Sequence, residues 1–337
     1  MPKQIAKRLA TAIPTLIGIV IVTFLLTRVL PGDTAAYFAG PAATPQAIEE
    51  VRHKLGLDRP LLAQFVGYVK DLGKGDLGTS LSTGQPVISD IRTRLPASAE
   101  LTLAGLILAI GVAVPLGILA AVRQGSWIDH LCRVVATAGV SLPVFFSGLL
   151  LIYAFYYRLG WAPAPLGRLD VFHSAPDTLT GFYVIDSLIA RDFDTFRAAL
   201  AQLLLPAATL GVFALAPIAR MTRAAMLAAL AADFTRTAKA SGLSLRTIIL
   251  TYAFRNAMLP VVTTMGMVFS FLLGANVLVE KVFAWPGIGS YAVDALIKSD
   301  FAPVQGFVLA MAILYVILNL LIDILYGIID PRVRIEA

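Results

Sequence analysis

The chain has 337 residues, of which 58% are hydrophobic and only 14% are charged, and its mean hydropathy is +0.80. An ordinary soluble domain has about 25% charged residues, so this composition excludes a water-soluble globular domain and favours a protein whose solvent is the bilayer. The net charge of +6 would by itself fit an acidic partner. The basic residues prove to be sorted by membrane side, so we expect no nucleic acid.

Cysteine and histidine usage excludes two further classes of site. A single cysteine, Cys132, cannot form an internal disulfide, and its apolar surroundings indicate a small buried residue. The three histidines, His53, His130 and His173, are far apart and form no metal-binding pattern. We therefore expect no metal, no cofactor bound by this chain and no catalytic residue.

Six apolar stretches are long enough to cross a hydrocarbon core of about 30 Å, which needs roughly 20 helical residues. The sequence predicts an all-α integral membrane protein with about six transmembrane helices. The third and fourth are interrupted by Pro143, Pro206 and Pro217, which membrane helices tolerate when neighbouring helices satisfy the freed carbonyls. The predicted spans are Leu9–Leu30, Leu101–Val122, Val134–Tyr157, Ala198–Ala219, Ala257–Val279 and Val304–Ile329.

The first stretch has two interpretations. Lys3, Lys7 and Arg8 before an apolar run resemble a cleavable signal peptide, but the run reaches Leu30 and is longer than a signal core. We therefore favour a retained helix. With the N-terminus inside, the inner segments carry 13 basic and four acidic residues in short loops. This bias predicts that both termini are cytoplasmic.

Residues 31–100 are too polar for lipid and predict a small helical segment on the outer face. Thr44-Pro45 indicates a helix start, and Gly56 can end that helix. A second amphipathic helix is predicted over Pro60–Leu72. The glycine-rich turn at 73–78 lacks the phosphate-loop pattern and a preceding strand, so we do not interpret it as a nucleotide site. The outer segment 158–197 mixes acids with aromatics, and either folds back over the outer mouth or is a solvated loop.

The inner loop at 220–255 is rich in alanine, basic and helical in propensity. Asp233 can cap a helix and Gly242 can end one, which predicts a short helix over Phe234–Ser241 between two turns. Such a helix either presents a compact face to a soluble partner or lies on the inner leaflet as an amphipathic helix held by anionic lipid.

Polar and small residues inside the last two spans are candidates for the translocation path or for helix packing. Gly266 and Gly274 are expected to pack against neighbouring helices. Asp323 and Asn319 lie one turn apart near the inner end of the sixth span, where a structural tie to an inner-face arginine is favoured over a proton relay. The path candidates are Met265, Phe269, Ser270 and Asn276.

At the inner loop the sequence resembles the permease subunits of the dipeptide/oligopeptide/nickel family of ABC importers. The matching stretch is Arg236 to Gly242, followed by Arg255 to Pro260. Arg236 stands where the broader pattern has a glutamate. Other segments resemble the family in the same order along nearly the whole chain, and 179–182 with the long outer loop look most like dipeptide permeases. Those segments are 28–33, 55–60, 75–80, 280–289, 300–306 and 319–332.

The resemblance implies a type I ABC importer permease fold. It divides the chain into an N-terminal tail and first helix (1–30), an outer helical segment (31–100) and a permease core (101–337) with a cytoplasmic coupling loop at 220–256. It also implies a homologous second permease, two ATPase subunits that bind ATP and Mg, and an extracytoplasmic solute-binding protein. The implied ATPase-coupling residues are Asp233, Phe234, Arg236, Thr237, Ala238, Lys239, Ala240, Ser241, Gly242 and Leu243.

The resemblance predicts a multi-pass protein of the bacterial inner membrane that imports dipeptides or short peptides. Nickel, glutathione or another small solute remains an alternative substrate. An ATP-independent secondary transporter would need ionisable groups at mid-membrane and usually internal repeats, and an intramembrane enzyme would need a nucleophile with its base. The sequence shows neither pattern, so both are disfavoured.

Overall fold

The structure is a computed structural model that describes residues 2–29, 34–40 and 42–329. This part of the chain is helical, apart from loops and an isolated β-bridge between Thr79 and Pro86. The helices in chain order are α1 (Pro2–Val29), α2 (Thr34–Ala39), α3 (Pro45–Lys54), α4 (Leu61–Gly73), α5 (Val87–Val122), α6 (Trp127–Ser141), α7 (Val144–Leu151), α8 (Tyr183–Ile189), α9 (Phe193–Ala231), α10 (Asp233–Ala240), α11 (Leu245–Thr247), α12 (Phe254–Val282), α13 (Ile288–Ile297) and α14 (Phe301–Ile329). Two π-helical segments, Ile152–Arg158 and Ile248–Ala253, follow α7 and α11.

Four of the described helical stretches are long and apolar enough to cross a membrane: Val87–Val122, Phe193–Ala231, Leu245–Val282 and Phe301–Ile322. They correspond to the second, fourth, fifth and sixth predicted spans. The first predicted span lies in the single helix α1, whose described apolar stretch is Ile13–Leu25. The all-α membrane fold is therefore confirmed.

The third predicted span is wrong as one continuous helix. Leu142 is extended, at φ −112° and ψ 143°, and separates α6 from α7. The cause is Pro143, because the ring of a proline disfavours the helical conformation of the residue before it. The remainder of this span, from Ile152, is π-helical.

The fourth span tolerates its prolines, as expected. Pro206 and Pro217 both lie inside the continuous helix α9. Each proline removes the N–H that would bond the carbonyl four residues earlier. The helix nevertheless stays whole because it packs against α6, α7, α8 and α12 along its length.

The chain divides into two compact units, and the larger contains Ser98–Trp285 together with the chain from Ile317. In this unit α5 and α9 approach closely through glycines. A Cβ on Gly117 would lie 2.7 Å from Thr222 Cβ and 2.8 Å from the carbonyl oxygen of Ala219. A Cβ on Gly105 would lie 2.8 Å from Leu210 Cβ. Small residues thus allow the two backbones to pack without side chains between them.

The smaller unit contains Pro2–Ala97 and Pro286–Val316. Its α3 begins as the sequence predicts, because the Thr44 hydroxyl accepts a hydrogen bond from the Ala47 N–H, and Gly56 follows the helix at φ +64°. The buried carboxylate of Asp300 accepts hydrogen bonds from the Ser80 hydroxyl and the Ser82 N–H, both at 2.9 Å. These bonds fix the turn before α5 within this unit.

Candidate functional site

The predicted short helix between the fourth and fifth spans is present as α10. Its N-cap residue is Ala232, so the prediction that Asp233 caps the helix is wrong. Asp233 is instead the first helical residue, where its negative charge interacts favourably with the positive N-terminal end of the helix dipole. The turn before it follows directly from the end of α9 at Ala231.

One face of α10 is fixed to the larger unit. Thr235 is fully buried, and its hydroxyl donates a hydrogen bond of 2.7 Å to the Ala229 carbonyl oxygen at the end of α9. Ala238, one turn later, is also buried. The sequence analysis missed Thr235 as a site residue. Its spacing of three from Ala238 was the available signal, because such residues share one helix face.

The other face of α10 is exposed. The Phe234 side chain is half-exposed, and Arg236, Thr237, Lys239 and Ala240 point to solvent. The Arg236 guanidinium lies 3.4 Å from the Asp233 carboxylate, but both side chains are largely exposed. Such a pair contributes little stability. The solvent-facing side of α10 therefore carries an aromatic ring and two cationic side chains, while its opposite face is fixed to the larger unit.

Gly242 ends α10 as predicted. It adopts φ +76°, its N–H bonds the Lys239 carbonyl at 3.0 Å, and the Leu243 N–H bonds the Ala238 carbonyl at 3.3 Å. This pair of bonds is a Schellman motif, which satisfies the last helical carbonyls. Ser241 donates a hydrogen bond to the Thr237 carbonyl within the same turn. The chain direction after α10 is therefore fixed by a conformation that favours glycine.

The segments before and after α10 pack against each other where they join this helix. Ala121, Met226, Ala229, Ala253 and Ala257 form a buried cluster from the ends of α5 and α9, the π-helical segment and the start of α12. Because close-packed interiors transmit displacement, a force on α10 would reach α9 and α12 directly. The π-helical segment 248–253 was not foreseen, and such segments are frequent at functional sites.

The path candidates take different positions on α12. Met265, Phe269 and Ser270 are half-buried, and the Ser270 hydroxyl donates a hydrogen bond to the Gly266 carbonyl of its own helix. Asn276 is buried, and its amide donates to the Ser98 carbonyl at 3.2 Å and to Glu280 Oε1 at 3.0 Å. Their role in lining the path stays a prediction.

An exposed stripe on α12 lies beside those candidates. Phe271 in this stripe stacks on Phe213 of α9, with ring centroids 4.7 Å apart. Gly266 packs closely under Ile322 of α14, as expected, whereas a Cβ on Gly274 would meet open space. The stripe consists of Thr263, Met267, Phe271, Gly274 and Leu278. Asn319 and Asp323 lie in α14, and the Asp323 side chain is outside the described residues.

Comparison with known proteins decides the family. Residues 113–335 match the model of the binding-protein-dependent transport system inner membrane component, and residues 1–102 match the N-terminal model of the same systems. The chain belongs to this family. It is thus a permease of the inner membrane and a transport subunit, as the resemblance predicted.

Curated relatives cover nearly the whole permease. It is 44% identical over 316 residues to a probable D,D-dipeptide transport system permease protein of Escherichia coli, covering 94% of this chain and 93% of the relative. A di/tripeptide permease protein of Pseudomonas aeruginosa is 43% identical, with 98% of each chain covered. A glutathione transport system permease protein of Escherichia coli is 38% identical, with 99% of each covered.

The permease also contains a buried polar network that the sequence analysis missed. Arg168 Nη2 lies 2.6 Å from both Glu100 Oε2 and the Gly181 carbonyl oxygen, and the guanidinium stacks on the Tyr183 ring at 3.4 Å. The other Glu100 oxygen accepts a hydrogen bond from the Val184 N–H at 2.9 Å. The network thus ties the loop before α8 to α5.

Segment 158–197 of the permease is also ordered by a buried acid of its own. Asp186 is buried and accepts hydrogen bonds from the backbone N–H groups of Leu179, Thr180 and Gly181 and from the Thr180 hydroxyl. Although burial raises the pKa of Asp186, these hydrogen bonds together hold it below its usual value. The interpretation as a solvated loop is therefore wrong for residues 179–186, and folding back over the outer mouth stays a prediction.

A second charged pair joins α6 to the C-terminal half of α9. Asp129 is buried, and Arg223 donates to its two oxygens from Nε at 2.6 Å and from Nη2 at 2.9 Å. The bidentate pair lowers the pKa of Asp129. Among the described residues, no group of three His, Cys, Asp or Glu side chains could hold a metal ion.

Proposed function

We propose that this permease forms the channel of an ATP-driven importer for dipeptides or short peptides, and that α10 is its coupling helix. In this proposal a separate ATPase subunit holds the exposed face of α10, and ATP with Mg binds only to ATPase subunits. A homologous second permease completes the path, and a solute-binding protein delivers the peptide from outside.

The observation that carries the proposal is the two-faced construction of α10. Thr235 and Ala238 attach one face to the packed ends of α9 and the π-helical segment, while Phe234, Arg236 and Lys239 remain available to a soluble partner. A helix attached in this way moves with whatever holds its outer face. Closure of two ATPase subunits around ATP would then move α9 and α12 as rigid bodies.

The coupling experiment changes only the exposed face. Phe234→Ala with Lys239→Glu in the reconstituted importer should abolish ATP-dependent uptake and weaken ATPase association, while the protein stays folded in the membrane. Lys298→Glu, at an exposed lysine just after α13, is the matched charge control and should leave uptake unchanged. Wild-type uptake by the double variant would contradict the assignment, and uptake without ATP would favour a secondary transporter.

The substrate proposal rests on what the relatives are named for: D,D-dipeptides, di- and tripeptides, and glutathione. All of these are short peptides. Uptake of a labelled dipeptide should be competed by other dipeptides, and glutathione is the second candidate because one relative carries it. Competition by glutathione or nickel but not by dipeptides would replace the proposed substrate.

The proposal places α10 and both termini in the cytoplasm, and the basic inner loops support it. The native thiol, Cys132, is buried and gives a low labelling background. A Lys239→Cys variant in intact cells should resist a membrane-impermeant maleimide until the membrane is permeabilised. Labelling in intact cells would place α10 on the side away from ATP and overturn the coupling role.

A further inference from the structure

The helix α6 carries an exposed surface that transport as proposed does not use. Trp127, Leu131 and Val134 recur at helical spacing on its outward side, and Trp127 is 71% exposed. Arg123, just before the helix, and Arg133 within it are also exposed. These five residues are called the α6 surface here. It combines an apolar stripe that includes an indole ring with the guanidinium group of Arg123 and, at the flank of the stripe roughly 100° around the helix from Val134, that of Arg133.

The opposite face of α6 is firmly packed, so this surface is held in one orientation. Ile128, Cys132 and Ala136 are buried on the face turned to the protein. Near its C-terminal end, a Cβ on Gly139 would lie 2.8 Å from the Val212 carbonyl oxygen of α9. This packing holds α6 in place and prevents it from turning its apolar stripe toward the protein.

The charge of the α6 surface is positive because its one neighbouring acid is buried and paired. Asp129 is the only acidic residue between positions 120 and 141. It is 1% exposed, and Arg223 occupies both of its oxygens. Arg133 lies at a longer 3.4 Å from Asp129 and keeps a half-exposed side chain. An anion approaching Arg123 and Arg133 meets no exposed carboxylate from this segment.

The position of the α6 surface along the spans is that of a membrane interface. Arg123 follows the last residue of the apolar run of α5, and the exposed Arg220 follows the predicted fourth span within α9. Tryptophan is enriched at the level of lipid headgroups, where its ring is apolar and its N–H is polar. Arginine forms paired hydrogen bonds to phosphate oxygens.

We propose that the α6 surface binds the headgroup of an anionic phospholipid in the adjacent leaflet. The phosphate and its neighbouring negative charge would lie between Arg123 and Arg133, with Trp127 at the level of the glycerol and Leu131 and Val134 against the acyl chain. Charge complementarity selects this occupant, because a zwitterionic lipid brings a cation next to the same arginines.

Trp127 itself provides the probe. The full chain, in complex with its partner subunits, is placed in nanodiscs that contain either brominated phosphatidylglycerol or brominated phosphatidylcholine, and quenching of tryptophan fluorescence is measured. The Trp127→Phe variant gives the contribution of Trp127 by difference. Trp161, which is 74% exposed, remains as an internal reference for general lipid contact.

The expected result is that phosphatidylglycerol quenches Trp127 at lower mole fractions than phosphatidylcholine. Arg123→Gln with Arg133→Gln should remove this preference, by about fivefold for each arginine. The matched control is Arg197→Gln, which neutralises an exposed arginine near the start of α9 and should keep the preference intact.

Three results would overturn the inference. Equal quenching by both lipids would show that Trp127 contacts lipid without selecting charge. A preference that survives the double variant would place the selecting charges elsewhere. Quenching by neither lipid would show that a protein partner covers the α6 surface.

Discussion

The Arg168 guanidinium and the Glu100 carboxylate form a salt bridge of 2.6 Å in which both side chains are more than 90% buried. The pair joins the outer segment to α5, and Arg168 adds a hydrogen bond of 2.6 Å to the Gly181 carbonyl oxygen. A buried ion pair has lost the hydration of both charges. Its structural role is therefore revealed by removing one partner and comparing the result with removal of both.

Arg168→Met should destabilise the permease by about 3–5 kcal/mol, because it leaves the Glu100 carboxylate buried and unpaired. The double variant Arg168→Met with Glu100→Gln should recover a large part of that loss, since no buried charge remains. Free energies of unfolding in mixed micelles, together with protease sensitivity of residues 159–182, measure both effects. A double variant as unstable as the sum of the single variants would show that the ion pair itself is not the determinant.

The contact between α5 and α9 gives a second prediction with a control in the same helix. Gly117→Ala should cost about 1–3 kcal/mol, because its Cβ would overlap Thr222 and the Ala219 carbonyl. Gly111→Ala, six residues earlier in α5, meets open space and should be neutral or stabilising by up to about 1 kcal/mol from helix propensity. Equal thermal stability of the two variants would contradict the close approach of α5 and α9.

These contacts show which parts of the structure were accessible from the sequence. An apolar run of about 20 residues is a local property, so all four spans were located, and the ends of α12 and α14 were predicted within three residues. The helices α5 and α9 extend further, to 14 residues before the second predicted span and 12 residues after the fourth. The effect of a proline in such a run is not local. Pro143 breaks its helix, whereas Pro206 does not, because α9 is enclosed by several neighbouring helices.

The functional residues also divide into those that have a local sequence signal and those that do not. The presence of α10 and its C-terminal end were foreseen, because the alanine-rich stretch and Gly242 are local signals, but its N-cap was not. The ion pair of Glu100 with Arg168 was not, since the two residues are 68 positions apart and no periodic pattern links them. Asn276 looked like a path residue because it is polar at membrane depth. Its bonds to Ser98 and Glu280 could be recognised only once α5 and α12 were seen together.

The outer segment should respond to pH through His173 and Asp170, whose Nδ1 and Oδ1 atoms lie 2.7 Å apart. The hydrogen bond to Asp170 raises the pKa of His173 above 6.5, with Asp192 and Asp194 adding to the effect. The same bond lowers the pKa of Asp170 below 3.8. Stabilisation from His173 is full below pH 6.5 and is lost as pH rises through its folded pKa. Stabilisation from Asp170 is present above pH 3.8 and is lost as pH falls through its folded pKa.

The pair therefore contributes most between about pH 4 and pH 6.5. Hydrogen exchange of residues 170–175 should be slower at pH 6 than at pH 8.5, after correction for the intrinsic pH dependence of exchange. His173→Gln has no titrating ring and should show no such difference. A corrected exchange rate that is the same at both pH values in the wild type would show that the pair does not order this segment.

A substitution at Gly242 can separate an effect on folding from an effect on coupling, because Gly160 has a similar backbone conformation elsewhere in the chain. Gly242 and Gly160 both have positive φ, +76° and +65°, and a Cβ would meet open space at either site. Alanine at each position therefore brings only the backbone strain of the left-handed conformation, of order 1 kcal/mol. The two variants should lose similar stability and insert into the membrane equally well.

Their transport should differ. Gly242→Ala disturbs the bonds from Gly242 and Leu243 that end α10, and so misdirects the face that carries Phe234 and Lys239. Gly160→Ala strains a turn outside this loop. We expect ATP-dependent uptake to fall at least tenfold in Gly242→Ala, with ATP hydrolysis no longer matched to uptake, and to stay within about twofold of wild type in Gly160→Ala. The change in the direction of α10 would be small, but misplacing a docked contact by about 1 Å can lower a rate by about two orders of magnitude. If both variants transported equally, the geometry that ends α10 would not matter for coupling, and the mechanical link from α10 through α9 and α12 would have to be abandoned.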